Sequence, residues 1–119
     1  DIKKGDEVVV SDFSFPATVN VVEDLGATPI FADVDLNSQN ITALSIEAVL
    51  TPGTKAVIVV HLAGMPADMN PIMTLAEKYG FYVIEDCAQA HGAKYKGKSV
   101  GGIGHIGAWS FCQDKIMST

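Results

Sequence analysis

The sequence predicts an α/β fold of three layers, in which a mostly parallel β-sheet lies between layers of helices. Short apolar runs alternate along the chain with segments whose apolar residues recur at helical spacing. The run over residues 55–61 is apolar at nearly every position, which is typical of a strand covered on both faces. Because helices separate the strands, we expect right-handed crossovers and parallel pairing. A chain of 119 residues fits one domain at most.

The first part of the chain contains two predicted strands, with a helix between them. A short buried strand is predicted over residues 7–11, and Pro16 suits the first turn of the following helix. Gly26 is expected to end that helix. A second strand is predicted over 28–33, and the polar segment 35–42 is expected to form a loop.

The middle of the chain contains the clearest strand, with a helix on each side of it in sequence. A short helix is predicted over residues 45–50, and the strand follows over 55–61. Asn70 and Pro71 are expected to begin the next helix, which Gly80 closes. The apolar residues of this helix are spaced so that they share one face.

The last part of the chain contains two further strands separated by a turn. A strand is predicted over residues 81–86, and a turn or edge hairpin over 95–98. The apolar run over 108–112 predicts a final strand.

Composition and charge exclude several classes of protein. The net charge of −6 argues against a nucleic-acid surface, because phosphates would be repelled. No apolar run approaches the ~20 residues that span a bilayer. Residues 1–6 lack the apolar core of a signal peptide, and the chain has no initiator Met. We therefore expect a cytoplasmic protein of which this chain is an internal part.

The two cysteines do not predict a disulfide or a metal site. Cys87 and Cys112 are expected to be buried thiols of a cytosolic protein. Cys87 and His91 are spaced like a pair of zinc ligands, but no second pair is present in the sequence. We therefore predict that the protein binds no metal.

Residues 102–107 match the glycine pattern GxGxxG of dinucleotide-binding proteins. That pattern binds pyrophosphate only between a strand and a helix, whereas here a turn precedes it and a strand-like run follows. We therefore expect a turn in which backbone segments approach closely.

Three polar side chains, those of Asp86, Gln89 and Lys115, fall at or just after the ends of predicted strands. Ligands of parallel sheets bind beyond the carboxyl ends of the strands. A carboxylate followed by a lysine beyond a second apolar run is what pyridoxal phosphate (PLP) chemistry needs. The lysine amine forms a Schiff base, and the carboxylate keeps the pyridine nitrogen protonated. Singly, Asp86 is typical of a turn and Lys115 of a surface, so the prediction depends on their combination.

The whole chain resembles the DegT/DnrJ/EryC1/StrS sugar aminotransferases, which are fold-type I PLP enzymes. The segments that carry the resemblance are residues 14–20, 26–35, 60–64 and 85–93, together with Ser110-Phe111 and Lys115.

The resemblance implies a role for each of five residues in cofactor binding. Lys115 would bind PLP covalently and later move the proton, and Asp86 would pair with the pyridine nitrogen. Gln89 would contact the phenolic oxygen, and Ser110 the phosphate. Phe15 would pack on the face of the ring.

The resemblance also implies a larger protein and a substrate class. Residues 1–119 would form the central part of the large domain, and the family's upstream phosphate loop and C-terminal small domain would lie outside this sequence. The intact enzyme would be a homodimer that transfers an amino group, expected to come from glutamate, to a keto group of a nucleotide-linked sugar. Two alternatives stay open: an acceptor with a carbocyclic ring, such as an aminocyclitol or aminobenzoate precursor, and a catalytically silent domain that retains only the fold.

Overall fold

Strands and helices alternate through most of the chain, as the sequence predicts. The computed structural model describes residues 2–119, so Asp1, the first residue of the segment that lacks a signal-peptide core, lies outside it. In chain order, the elements are β1 (Glu7–Ser11), α1 (Ala17–Asp24), β2 (Thr28–Ala32), α2 (Ala43–Val49), β3 (Thr54–Val60), α3 (Met69–Tyr79), β4 (Tyr82–Asp86), β5 (Lys94–Tyr95), β6 (Lys98–Ser99) and β7 (Ile106–Ala108). A 3-10 turn over Leu62–Gly64 joins β3 to α3.

Five of the strands form one parallel sheet in the order β2-β1-β3-β4-β7. The prediction of a mostly parallel α/β sheet is therefore confirmed. The remaining two strands, β5 and β6, form a small antiparallel hairpin at the predicted turn.

The sheet is the middle of three layers, because helices pack on both of its faces. Successive side chains of its central strands point to these two faces in turn. Val9 and Val57 face one side, where α2 and α3 cover them. Val8 and Val10 face the other side, where Val22 of α1 packs against them. Both faces of the central strands are thus buried, which explains why these strands are apolar at almost every position.

Helix α3 begins slightly earlier than the sequence predicts and ends where it predicts. Its first residue is Met69, with Asp68 at the N-cap position, so the helix starts one residue before Asn70. Gly80 ends the helix in the left-handed conformation, with φ of 77°. A residue without a Cβ adopts that conformation at little cost, so this glycine stops the helix cleanly.

The last strand differs from the prediction in length and position. The sequence predicts a strand over 108–112, whereas β7 covers Ile106–Ala108. β7 pairs with β4 only opposite residues 84–86, and this pairing stops where β4 ends at Asp86. Residues 109–112 therefore continue as irregular chain beyond the carboxyl edge of the sheet.

Candidate active site

One cavity at the carboxyl edge of the sheet brings together the residues that the sequence singles out. Its volume is about 390 Å³, which is within the usual range for small-molecule sites. The five residues proposed to bind the cofactor all line this cavity: Phe15, Asp86, Gln89, Ser110 and Lys115. They lie after β1, β4 and β7, whose carboxyl ends meet at this edge. The structure thus places these residues together, and their roles stay predictions.

Asp86 is the last residue of β4, and both of its carboxylate oxygens accept hydrogen bonds. The backbone N–H of Ala88 donates to Oδ1 over 3.1 Å. The hydroxyl of Thr18, on α1, donates to Oδ2 over 3.0 Å. Within residues 2–119, Asp86 forms no ion pair with a basic side chain. A carboxylate that lines a cavity without a cationic partner suits a ligand that carries a positive charge.

Gln89 is oriented by the turn that follows β3. Its Oε1 accepts a hydrogen bond of 2.7 Å from the backbone N–H of Ala63. Ala63 has φ of 50°, a left-handed conformation that few residues other than glycine adopt, and this residue kinks the 3-10 turn over Leu62–Gly64. Because the amide oxygen is engaged, the amide nitrogen of Gln89 remains as a hydrogen-bond donor at the cavity.

Lys115 lies in a turn and directs a partly shielded amine into the cavity. Its backbone N–H donates to the carbonyl of Cys112 over 2.9 Å, which closes the turn. Its side chain is 22% exposed, and Nζ lies 3.9 Å from an oxygen of the exposed Asp114 carboxylate. The lysine is therefore a partly shielded residue of the cavity, with one weak ion pair to an exposed neighbour.

Phe15 and Ser110 come from segments far apart in sequence, and neither residue lies in a helix or strand. Phe15 is 69% exposed, which is unusual for a phenylalanine and leaves its ring free to contact a ligand. Ser110 lies in the irregular segment after β7, and its Oγ accepts a long hydrogen bond of 3.4 Å from the N–H of Cys112. Its hydroxyl hydrogen remains available as a donor.

A buried pair, His61 and Glu85, lies on the opposite side of β4 from the cavity residue Asp86. The N–H of Ala67 donates to His61 Nδ1 over 3.1 Å. The proton of the neutral ring is therefore on Nε2, which donates to Glu85 over 3.0 Å. Both side chains are fully buried. His61 is thus a hydrogen-bonded structural group.

The glycine-rich segment that resembles a dinucleotide motif surrounds the Glu85 carboxylate. The backbone N–H groups of Gly101, Ile103 and Gly104 donate to its oxygens over 2.8, 2.7 and 2.6 Å. Burial opposes the ionisation of Glu85, but the hydrogen bonds from His61 and from these amides lower its pKa to about 2. The segment therefore binds a carboxylate of the protein itself instead of a pyrophosphate.

The glycines of this segment permit the close backbone approach that the sequence predicts. A Cβ on Gly104 would lie 3.0 Å from the carbonyl oxygen of Val83, and one on Gly107 would lie 2.7 Å from Gly101 Cα. A side chain at Gly104 would push the segment away from β4, and one at Gly107 would displace Gly101, whose N–H donates to Glu85. The segment could then no longer reach Glu85.

Substitution of Glu85 by glutamine is expected to destabilise the protein by about 3–5 kcal/mol at pH 7, because it leaves buried N–H donors without their charged acceptor. The stabilisation from Glu85 is present above its ordinary pKa of 4.5 and lost as the pH falls through its folded pKa of about 2. Urea unfolding of wild type and E85Q across this range should therefore show a difference that shrinks toward pH 2. The exposed Glu47, paired with Lys78, provides the matched control E47Q, with an expected loss below about 1 kcal/mol. Equal stability of wild type and E85Q at pH 7 would contradict this account.

His61, Glu85 and Cys87 form the one group of possible metal ligands within the described residues, with ligand atoms within 4.8 Å of one another. Both nitrogens of His61 and both oxygens of Glu85 are engaged in protein hydrogen bonds. Burial, with the nearby Glu85 and Asp86 charges, raises the pKa of the Cys87 thiol to about 12. These groups are therefore occupied in holding the core together.

The two cysteines differ in exposure, which corrects one prediction. Cys87 is buried as expected, whereas Cys112 is exposed. Cys112 lies in the irregular segment after β7, where no layer of helix covers the chain. The ring of His91, which the sequence pairs with Cys87, instead packs against those of Trp109 and Phe111, with centroids 5.2 and 5.3 Å away.

Thr18 is a cavity residue to which the sequence analysis assigns no role. It belongs to the segment that carries the family resemblance, and it is 5% exposed. The signal was present in the sequence: Thr18 precedes the buried Val22 by four residues, so both lie on the buried face of α1. A hydroxyl on a buried helix face needs a partner, and Asp86 provides it.

Comparison with known families decides the assignment. The model of the DegT/DnrJ/EryC1/StrS aminotransferase family matches residues 1–119. The chain belongs to this family. A UDP-N-acetyl-3-dehydro-alpha-D-glucosamine 3-aminotransferase of Acidithiobacillus ferrooxidans is 54% identical over 117 residues, which are 98% of this chain and 32% of that protein.

Two solved structures support the same assignment. An aminotransferase from Psychrobacter cryohalolentis has a TM-score of 0.97 and 63% identity, and the match covers 98% of this chain and 30% of that one. The Streptococcus pneumoniae protein Spr1654, solved in a PLP form, has a TM-score of 0.94 and 27% identity, with 98% of this chain and 34% of that one covered. The structure of Spr1654 has also been solved in a pyridoxamine phosphate (PMP) form. The chain thus spans about a third of the length of its relatives.

No helix within residues 2–119 combines the length and the apolar character needed to cross a bilayer.

Proposed function

We propose that the protein to which this chain belongs is a PLP-dependent aminotransferase that acts on a keto group of a nucleotide-linked sugar. The observation that carries this proposal is the shared cavity of Lys115 and Asp86, in a chain of this aminotransferase family. An amine for covalent attachment and a carboxylate for a pyridinium are the two groups that PLP chemistry requires. The relative from Acidithiobacillus ferrooxidans supports a nucleotide sugar as the acceptor.

The residues of the cavity fit PLP in their charge and hydrogen-bonding capacity. Asp86 has no cationic partner among the described residues, so it is free to accept the N–H of a protonated pyridine. Gln89 has an amide nitrogen that could donate to a phenolic oxygen, and Ser110 has a hydroxyl that could donate to a phosphate. The exposed ring of Phe15 offers a face for stacking. When bound, PLP would supply an electron sink that acidifies the carbon bearing the substrate amine.

Lys115 has two tasks in this proposal. Its Nζ would bind the cofactor covalently until the amino donor, which we propose to be glutamate, takes its place. The freed amine would then act as the base that accepts a proton from the donor carbon, and as the ammonium it would give that proton back within the same site.

The chain is proposed to be the central part of the large domain of a longer protein. Its relatives are about three times as long as this chain, which leaves room for an upstream phosphate loop and a small C-terminal domain. We propose that two copies of the intact, cytoplasmic protein form a homodimer that completes each site.

The experiment that tests the function is an amino-transfer assay on the intact protein. Glutamate is supplied as donor with either a 3-keto nucleotide sugar or a carbocyclic ketone, and the aminated product is measured by mass spectrometry. Amination of the nucleotide sugar supports the proposal. Amination of the carbocyclic ketone alone would replace the proposed acceptor, and no amination of either, with no bound PLP, would favour a silent domain.

The isolated chain of residues 1–119 is expected to be inactive and to bind PLP weakly. A phosphate held by Ser110 alone would lack most of its donors, and each charge-assisted hydrogen bond contributes about 1.5–3 kcal/mol. The edge strands β2 and β7 also leave backbone groups free to pair between molecules, which favours aggregation. Amino transfer and PLP absorbance should be measured on this chain with the intact protein as the positive control. Robust turnover by the isolated chain would show that it already contains the phosphate contacts.

A further inference from the structure

Two hydroxyl groups lie behind the Asp86 carboxylate, on the side of α1. Thr18 Oγ1 lies 3.0 Å from Asp86 Oδ2 and 3.0 Å from Ser14 Oγ. An ionised carboxylate only accepts hydrogen bonds, so the single hydroxyl hydrogen of Thr18 is directed to Asp86. The Thr18 oxygen then accepts the hydrogen of Ser14. The result is a chain of two hydrogen bonds that runs from Ser14 through Thr18 to Asp86.

The hydrogen bond from Thr18 holds one side of the carboxylate, and a backbone amide holds the other. Ala88 N–H donates to Oδ1, from the loop that directly follows β4. Thr18 donates to Oδ2 from a helix 68 residues away in sequence. With both oxygens held from different elements, the plane of the Asp86 carboxylate cannot rotate without breaking at least one bond.

We propose that Thr18 is a positioning residue for the cofactor, which acts by fixing the direction of the Asp86 carboxylate. This inference rests on the proposed function, because it takes a pyridinium N–H as the group that Asp86 meets. The strength of a charged hydrogen bond depends steeply on its angle. An acceptor that is held in place before binding therefore contributes more to the affinity than one that must first be ordered. Without the Thr18 hydroxyl, Oδ2 would be free to turn toward water in the cavity.

The chemistry of threonine separates this role from simple packing. Thr18→Val keeps the shape of the side chain and replaces the hydroxyl with a methyl group. Thr18→Ser keeps the hydroxyl and removes the methyl group. If the hydroxyl carries the effect, only the first variant should be impaired. Thr74 is exposed on α3 and donates to the carbonyl of Asn70, so Thr74→Val is a matched control outside the cavity.

The test uses the intact protein, stripped of cofactor and titrated with PLP. The dissociation constant of PLP is measured by absorbance. The pH dependence of the visible band of the bound cofactor and the Tm of the cofactor-free protein are measured as well. We expect T18V to bind PLP roughly 10- to 100-fold more weakly, as for the loss of one hydrogen bond to a charged group, and to shift the pH midpoint of the band. T18S and T74V should retain the affinity and the midpoint of wild type.

The outcomes distinguish this inference from the function on which it rests. A wild-type protein that binds no PLP would overturn the proposed function itself. Wild-type binding with an unchanged T18V would overturn only the role of Thr18. Equal impairment of T18S and T18V would show that the effect does not depend on the hydroxyl, and would also overturn it. If T18V does not fold, T18A is compared with T18S by the same criteria.

Discussion

Replacement of Lys115 by alanine is expected to abolish both covalent attachment of PLP and amino transfer, while the fold is retained. The side chain lies in a turn at the cavity and is absent from the buried core. Its removal therefore costs little stability, since surface substitutions are usually within about 0.5 kcal/mol. No other lysine lines this cavity among the described residues, so no neighbour can replace its amine.

Borohydride reduction followed by peptide mass spectrometry is the measurement that locates the attachment. The reduced cofactor should be found on the peptide that contains Lys115 in the intact wild-type protein, and on no peptide of K115A. The exposed Lys98 on β6 provides the control K98A, which should retain the label and the activity. Label on any other lysine would show that the assignment of Lys115 is wrong.

Replacement of Asp86 is expected to lower turnover by orders of magnitude and to weaken cofactor binding. We propose that this carboxylate keeps the pyridine nitrogen protonated, and the electron sink would depend on that proton. Loss of a preorganised electrostatic partner typically costs about 100- to 1000-fold in kcat. Asp86→Asn keeps the shape and removes the charge, so it separates the electrostatic effect from any change in packing.

Single-turnover rates and PLP affinity of D86A and D86N in the intact protein are the relevant measurements. Both variants should be slow, since both lack the charge. Asp24, an exposed residue at the end of α1, provides the control D24N, with turnover close to that of wild type. Near-normal single-turnover rates for D86N would mean that Asp86 is only a turn residue.

The regular elements were predictable because they depend on local patterns. The apolar run of β3, the strand over residues 7–11 and the glycine that ends α3 all lie within two residues of their predicted positions. The final strand was predicted wrongly for a reason that lies outside its own sequence. Residues 109–112 are apolar enough for a strand, but β4 ends before they can pair with it.

The candidate site was predictable in part, because its members follow the ends of strands. Asp86, Gln89 and Lys115 were selected on that basis, and all three line the cavity. Thr18 was not selected: its spacing from Val22 indicates only that it lies on the buried face of α1, and does not reveal that its hydroxyl meets a carboxylate 68 residues later. Glu85 was likewise not selected, since its donors belong to His61 and to the distant glycine-rich segment.

The sequence alone therefore determined the fold class and the succession of strands and helices along the chain, and it selected the side chains that we propose for PLP chemistry. These properties depend on the spacing of apolar residues and on the residue types themselves. Only the tertiary structure decided which polar groups are paired. It showed that the glycine-rich segment surrounds the Glu85 carboxylate, whereas the same pattern in a nucleotide-binding protein surrounds a phosphate. It also showed that the Thr18 hydroxyl donates a hydrogen bond to Asp86. Such pairings depend on the order of the strands in the sheet and on the crossovers between them, which bring together groups far apart in the chain. The local spacing of apolar residues does not reveal these pairings.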